Sequence, residues 1–326
     1  MRLVFFGSGA FGQPSFEFLA RQHTVLAVVT QPDRPAGRGS HLSPTPIATW
    51  AADALPDVPL LRPPSIADPD VVARLRTLEA DAFIVIAFGQ KLGPNLLADR
   101  FAINLHASLL PRWRGAAPIN AAILAGDAET GNSVITLASR MDAGLILSQS
   151  TRPIEPHLTA GELHDLLASD GPALIARVLD AHASGTLHPR EQDESIITLA
   201  PKLRREDAWV DFNAHARQVR SRIHALTPWP GVAISINSAQ LKILRAKSHD
   251  THTDQSIETA PGILLDPDHG LIACAHRSAL ELLEVQPAGK KPMTWQQFRL
   301  GKQSLTRGVQ VASVVPPAPI TPSTSP

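Results

Sequence analysis

Leu3-Val4-Phe5-Phe6-Gly7-Ser8-Gly9-Ala10-Phe11-Gly12-Gln13-Pro14 decides the fold class of this 326-residue chain. Four apolar residues running into glycines read as a buried parallel strand, and the proline beyond the turn suits the first turn of a helix. The turn also fits the G-x-G-x-x-G dinucleotide spacing, with Asp33 about 20 residues on as the candidate ribose ligand. An NAD-linked dehydrogenase is therefore one reading. Against it, Asp33 sits in the proline-studded Gln31-Pro32-Asp33-Arg34-Pro35, beyond the strand end. The glycines then do no more than make the tight first turn of a doubly wound sheet.

Outward from that stretch, short apolar runs at Val25–Val29, Phe83–Ala87 and Ile103–Leu105 alternate with helical patterns at 14–20, 47–54, 70–79 and 118–125. That β-α-β rhythm predicts a doubly wound, mostly parallel, Rossmann-like α/β domain over residues 1–188. Strands at 134–137 and 145–148 and separate helices at 160–167 and 172–183 complete it. Residues 189–206 read as a linker, because prolines, acids and a short basic cluster interrupt the pattern. From 207 to 312 a helix near 213–225 precedes five short strand candidates, at 232–236, 241–244, 262–265, 271–275 and 280–285. Their spacing predicts a small OB-like β-barrel. Residues 313–326 hold five prolines and no charge, the composition of a disordered tail.

Composition narrows the classes. With 44% hydrophobic and 18% charged residues the chain is globular rather than disordered. No apolar run approaches membrane-helix length, and no signal peptide precedes the first strand. The single cysteine, Cys274, excludes a disulfide framework and a multi-cysteine metal site, so a reducing cytoplasmic setting is expected. Tyrosine is absent, which leaves proton work to His, Asp, Glu or Lys. Lysine plus arginine equals aspartate plus glutamate at 30 each, yet residues 1–195 carry 15 basic and 20 acidic side chains. The remainder is correspondingly basic, so a balanced total does not exclude nucleic acid.

The densest polar constellation is Asn104-Leu105-His106-Ala107-Ser108-Leu109-Leu110-Pro111-Arg112-Trp113-Arg114-Gly115. Period 2 places Asn104 and His106 on one side of a strand end, where open α/β sheets bind ligands. Met141-Asp142-Ala143-Gly144 supplies an acid beside a turn glycine. An amide to donate to an oxyanion, an imidazole to move a proton and a carboxylate to orient it suit direct group transfer. No nucleophile elbow and no metal-ligand spacing occurs among the 13 histidines. A second loop, residues 31–44, carries Arg34, Arg38 and His41 among glycines and prolines, suited to a phosphate or carboxylate. A plain solvated loop fits those residues equally well.

The stretch 104–118 resembles the signature of the folate-dependent formyltransferases. Together with Thr30-Gln-Pro-Asp-Arg-Pro-Ala-Gly-Arg-Gly, Pro228-Trp-Pro-Gly and Gln286-Pro-Ala-Gly-Lys-Lys-Pro-Met, it is similar to the methionyl-tRNA formyltransferases among them. The resemblance covers nearly all of the chain but the tail. It implies formyl transfer from 10-formyltetrahydrofolate to the amino group of methionyl initiator tRNA, with Asn104, His106 and Asp142 as the catalytic trio. Ser108, Leu109, Leu110, Pro111, Phe88 and Gly89 match folate-contact positions. Arg34 and Arg38 match the loop that reaches the tRNA acceptor end. Lys202, Arg204, Lys242, Lys247, Lys290 and Lys291 are the expected tRNA contacts further on. A cytoplasmic monomer without metal is implied. Three departures stand out: Gly7-Ser8-Gly9 replaces Gly-Thr-Pro, Ser40-His41 stand where lysines are common, and Phe88 stands for a frequent tyrosine.

The same chemistry leaves a small amine or water as other acceptors, and a non-catalytic RNA-binding module is a third class. The arginine loop and the basic second part argue for tRNA.

Overall fold

A computed structural model of the chain describes residues 1–36, 41–250, 260–302 and 304–316. They form two compact units: residues 1–115, 130–152 and 164–199, and residues 116–129, 153–163 and 200 onward. This division is not the linear one at 188 and 207. Helix Pro118–Ala125 and the segment 153–163 pack with the second unit, Asn120 donating its amide to the carbonyl of Ala225 at 2.6 Å.

In the first unit seven strands lie in the order Ile146–Pro153, Glu129–Thr136, Ala102–His106, Ala82–Ile86, Arg2–Gly7, Thr24–Val29, Leu60–Leu61. The five from Ala102–His106 to Leu60–Leu61 are parallel, and Glu129–Thr136 joins antiparallel. Burial explains the run of apolar residues: Leu3 to Phe6 and Phe83 to Ile86 are all covered, as strands with helices on both faces must be. The chain order reverses beside Arg2–Gly7, the kind of switch point at which ligand crevices open.

The opening turn explains why a dinucleotide fingerprint arises without that function. The amides of Ser8 and Gly9, which would cradle a pyrophosphate, both donate to the carbonyl of Ala87, at 3.2 and 3.3 Å. A side chain at Gly7 would come within 2.4 Å of the Phe16 ring, so glycine there serves close helix–strand packing. Asp33 is paired with Arg62 at 2.8 Å.

Three other expectations change. Residues 160–183 form one continuous helix through Pro172, not two. Proline forfeits one backbone hydrogen bond and costs about 3 kcal/mol in a helix interior, but the buried Leu167, Leu174, Ile175 and Val178 hold both halves in line. Gly171 lets the helix approach closely, since a Cβ there would lie 2.7 Å from Ser15 Oγ. The arginine loop contains a short hairpin, Arg34–Ala36 paired antiparallel with His41–Ser43. Its turn, including Arg38 and Ser40, lies outside the described residues. The tail expected from 313 is ordered at its start, because Ser313 pairs with Ile234 and its hydroxyl accepts from the amide of Val210 at 3.0 Å. Residues 317–326 lie outside the described residues.

The second unit is an antiparallel sheet in the order Leu264–Asp266, Leu271–Cys274, Ser278–Pro287, Ala239–Asp250, Val232–Ile236, Val311–Ser313. Its ends meet: Leu264 N–H donates to Val309 and Val311 N–H to Gly262, at 2.9 and 2.7 Å. The sheet therefore curls as the five expected strands require, with helix Ala216–Ala225 and Trp295 in the same core. Strict alternation would place Lys242 and Arg245 on opposite faces. A bulge between Ile243 and Ala246 restores them to one face with Lys247. Cys274 is buried and its thiol pushed up to about 12 by that burial, as befits a small core hydrophobe.

Candidate active site

The strand Ala102–His106 ends in the sequence that the site depends on. Asn104 registers with Ile135 and His106 with Ser133 of the antiparallel neighbour, so the two side chains emerge on one side two residues apart. His106 is buried, 7% exposed. Its Nε2 lies 2.9 Å from the carbonyl of Trp113. A carbonyl can only accept, so Nε2 carries the hydrogen and Nδ1 is the nitrogen that gains and loses a proton. Nδ1 faces Asp142 Oδ2 at 3.7 Å. That gap exceeds a hydrogen bond and leaves room for a proton to be shared with a third group.

Asp142 is held from its own side. Its Oδ2 accepts from the amide of Gly115 at 2.9 Å, and its backbone sits in the left-handed region with φ 54°. Such a conformation in a non-glycine residue persists only where neighbours enforce it. Asn104 is half-buried, and its amide makes no hydrogen bond among the described residues. The trio thus presents one unengaged amide, one imidazole with a fixed tautomer and one oriented carboxylate.

The loop that follows is rigid. Ser108 Oγ donates to Arg112 O at 2.6 Å, while Ser133 Oγ donates to Ser108 O at 2.6 Å and accepts from Leu110 N at 3.0 Å. Gln149 donates to Leu110 O at 3.0 Å. Expected backbone contacts to a ligand from Ser108 and Leu110 are thus largely taken by the protein itself. Leu109 keeps its amide without a partner among the described residues, on a half-buried apolar side chain. Pro111 follows a cis peptide.

Phe88 turns inward. Its side chain is 2% exposed and packs edge-on against Phe6 in the core, while its carbonyl accepts from Ser8 Oγ and Gln31 Nε2 at 3.0 and 3.2 Å. Its side chain serves packing. Gly89, exposed with φ 81°, remains open. Arg34 is exposed and donates to Gln31 Oε1 at 2.7 Å.

The basic residues beyond 200 do not form a bonded cluster. Lys202, Lys247, Lys290 and Lys291 are exposed, and Arg204 lies 3.5 Å from Glu206. Lys242 is committed elsewhere: its Nζ donates to Pro228 O at 2.8 Å, bracing the turn around the exposed Trp229. One face of Trp209 is taken, because the Arg222 guanidinium lies 3.3 Å over its ring. Burial pushes that guanidinium down to about 10.

Sequence reasoning missed Gln192 and Glu194, both in the stretch read as a linker. Gln192 bonds the Asp142 loop and the guanidinium of the buried Arg114, and Glu194 pairs with Arg114 and Arg140 at 3.0 and 2.7 Å. The Glu194 carboxyl is held below its ordinary range by Arg140 foremost and by Arg114. No local pattern marks either residue, since their partners lie some 50 to 80 positions away.

Comparison with known proteins identifies the family. Residues 1–179 match the formyl transferase family and residues 202–303 its C-terminal domain family. A methionyl-tRNA formyltransferase of Herpetosiphon aurantiacus is 39% identical over 308 residues, covering 94% of this chain and 99% of that one. The chain belongs to the methionyl-tRNA formyltransferase family. A second member, from Methylococcus capsulatus, is 39% identical over 91% of this chain and 96% of its own. Among solved structures, the sugar 3N-formyltransferase WlaRD, studied with dTDP and 5-N-formyl-THF, superposes with TM-score 0.65 at 14% identity. That superposition covers 89% of this chain and 99% of WlaRD and shows the shared fold. Among the described residues, no helix is long and apolar enough to cross a membrane and no cluster of ligating side chains could hold a metal ion.

Proposed function

We infer that this methionyl-tRNA formyltransferase family member transfers a formyl group from 10-formyltetrahydrofolate to the α-amino group of methionyl initiator tRNA, in the cytoplasm and as a monomer. The observation that carries the reading is the convergence of Asn104, His106 and Asp142 at one strand end in a chain of which 94% matches a member of that family. The unengaged Asn104 amide and the half-buried Leu109 of the following loop fit a formyl oxygen and a flat apolar ring system. The folate supplies the formyl carbon.

Asn104 donates to the formyl oxygen as negative charge develops there during attack by the amine. Nδ1 of His106 accepts the proton that the attacking nitrogen must lose, and returns it to the departing N10 of the folate. One C–N bond forms, one breaks, and the proton count closes. Asp142 stabilises the ring while Nδ1 is protonated, and Trp113 O keeps Nε2–H in place so that only Nδ1 exchanges.

Residues 1–188 carry this chemistry. Ser108, Leu109, Leu110, Pro111 and Gly89 border the folate. Arg34 and Arg38 meet the acceptor end, and Lys202, Arg204, Lys247, Lys290 and Lys291 meet phosphates, beside an OB-like barrel over 207–312. The test is formylation with labelled donor. Label on methionyl initiator tRNA, and not on elongator methionyl-tRNA or small amines, is expected. Label on a small amine alone would overturn the acceptor.

A further inference from the structure

Gln192 closes a ring of contacts around Asp142. Its amide nitrogen donates to the carbonyls of Asp142 and Gly144, at 2.7 and 2.8 Å. Its amide oxygen accepts from Nε and a terminal nitrogen of Arg114, at 2.9 and 2.8 Å. Arg114 is the residue before Gly115, whose amide holds the Asp142 carboxylate at 2.9 Å. One side chain therefore ties the backbone of Asp142 to the neighbour of the group that orients its carboxylate.

The loop it braces is tightly constrained. Asp142 occupies the left-handed region, φ 54°, and Gly144 passes so close to Thr136 O that a Cβ would lie 1.7 Å from it. Only a primary amide of this length meets both ends. A carboxylate cannot donate to two carbonyls, and an aliphatic side chain would leave Nε of the 6%-exposed Arg114 without its acceptor, since Glu194 meets only a terminal nitrogen.

We propose that Gln192 is a positioning residue for formyl transfer, fixing the Asp142 carboxylate against Nδ1 of His106. The assignment rests on the catalytic reading of Asp142. It makes the stretch before the second unit part of the active-site framework rather than a tether.

Two variants test it. Gln192→Met removes all four contacts, whereas Gln192→Glu keeps an acceptor for Arg114 and sets a carboxylate against the two carbonyls. In each, kcat should fall by about 10- to 100-fold, the scale on which small misplacements of reacting groups act. KM for both substrates should stay within about threefold, and the acid limb of the kcat–pH profile should move because Asp142 no longer faces Nδ1 squarely. A lowered yield of otherwise normal enzyme would not move that limb. A folded Gln192→Glu protein with wild-type kcat and an unmoved pH profile overturns the proposal. Should neither variant fold, the wild-type side-chain amide decides it by NMR: slow hydrogen exchange is expected, and free exchange overturns it. Asp142→Asn runs alongside. If it is inactive while Gln192→Glu is fully active, only the positioning role fails; if it is fully active, the catalytic reading beneath fails first.

Discussion

The strand end at Asn104 and His106 and the basic face of the second unit are built on opposite plans. At the strand end every polar group but one is fixed by another: Trp113 O sets the His106 tautomer, Gly115 holds Asp142, and Ser133 and Gln149 pin the loop between. On the second unit, Lys247, Lys290 and Lys291 stand exposed. A reaction needs atoms placed to within a fraction of an ångström, whereas a phosphate contact needs only a mobile charge within reach. The first plan makes single substitutions severe, and the second makes them small and additive.

The severest break falls in the first region. His106→Ala should lower kcat by about 100- to 10,000-fold, the usual worth of a positioned acid–base group. Asn104→Ala should lower it by about 100- to 1000-fold, as loss of one oxyanion donor does elsewhere. Single-turnover formylation of initiator methionyl-tRNA reads both. Undiminished transfer by the His106 variant would remove His106 from the proton path.

The second region also holds a buried imidazole, and it sharpens the contrast because it acts on stability alone. His224 is 1% exposed, its Nε2 accepts from Ala246 N at 3.1 Å, and its pKa is pushed down to about 4 by burial, then by the charges of Arg220 and Arg245. The folded ring stays neutral while the unfolded one protonates near pH 6.5, so the contribution is full above that pH. It is lost as pH falls from there towards 4, and at most about 3 kcal/mol is at stake. Urea midpoints should fall across that window, and His224→Gln should flatten the profile. An equally steep fall in the variant would reassign the titration.

How much of this was legible in the sequence follows the same division. Asn104 and His106 were readable because strand periodicity and a strand end are local signals, and the curled sheet because its strands are short and regularly punctuated. What escaped was set by distant partners. Gln192 looked like linker because its ligands sit at Asp142, Gly144 and Arg114. The inward turn of the Phe88 ring was not legible because sequence cannot tell which way a residue after a strand turns. The dinucleotide spacing misled because the same glycines serve Phe16 packing and the same amides serve Ala87.

Salt dependence probes the basic face itself. The affinity for tRNA should fall linearly on a log–log plot, with a slope of about −0.7 to −0.9 per phosphate contacted. Replacing Lys290 and Lys291 together by alanine should make that slope shallower by one or two such steps, with kcat unchanged. An unaltered slope would remove these lysines from the interface.

The smallest effect is expected at Lys242, although sequence places it beside the others. Its ammonium already donates to Pro228 O, and it packs so closely on Gly231 that a Cβ there would lie 1.8 Å from its side chain. Leaving that turn for a phosphate would forfeit a charge-assisted hydrogen bond, which is worth about 1.5–3 kcal/mol net. Lys242→Met should therefore leave the salt slope where it was and lower the urea midpoint instead. Lys247→Met, further along the same outer face of the strand and exposed, should do the reverse. If the Lys242 variant flattened the salt response as much as the Lys290 and Lys291 pair, the distinction between a braced cation and a free one would fail. The basic face would then have to be read as a single field rather than as separate contacts.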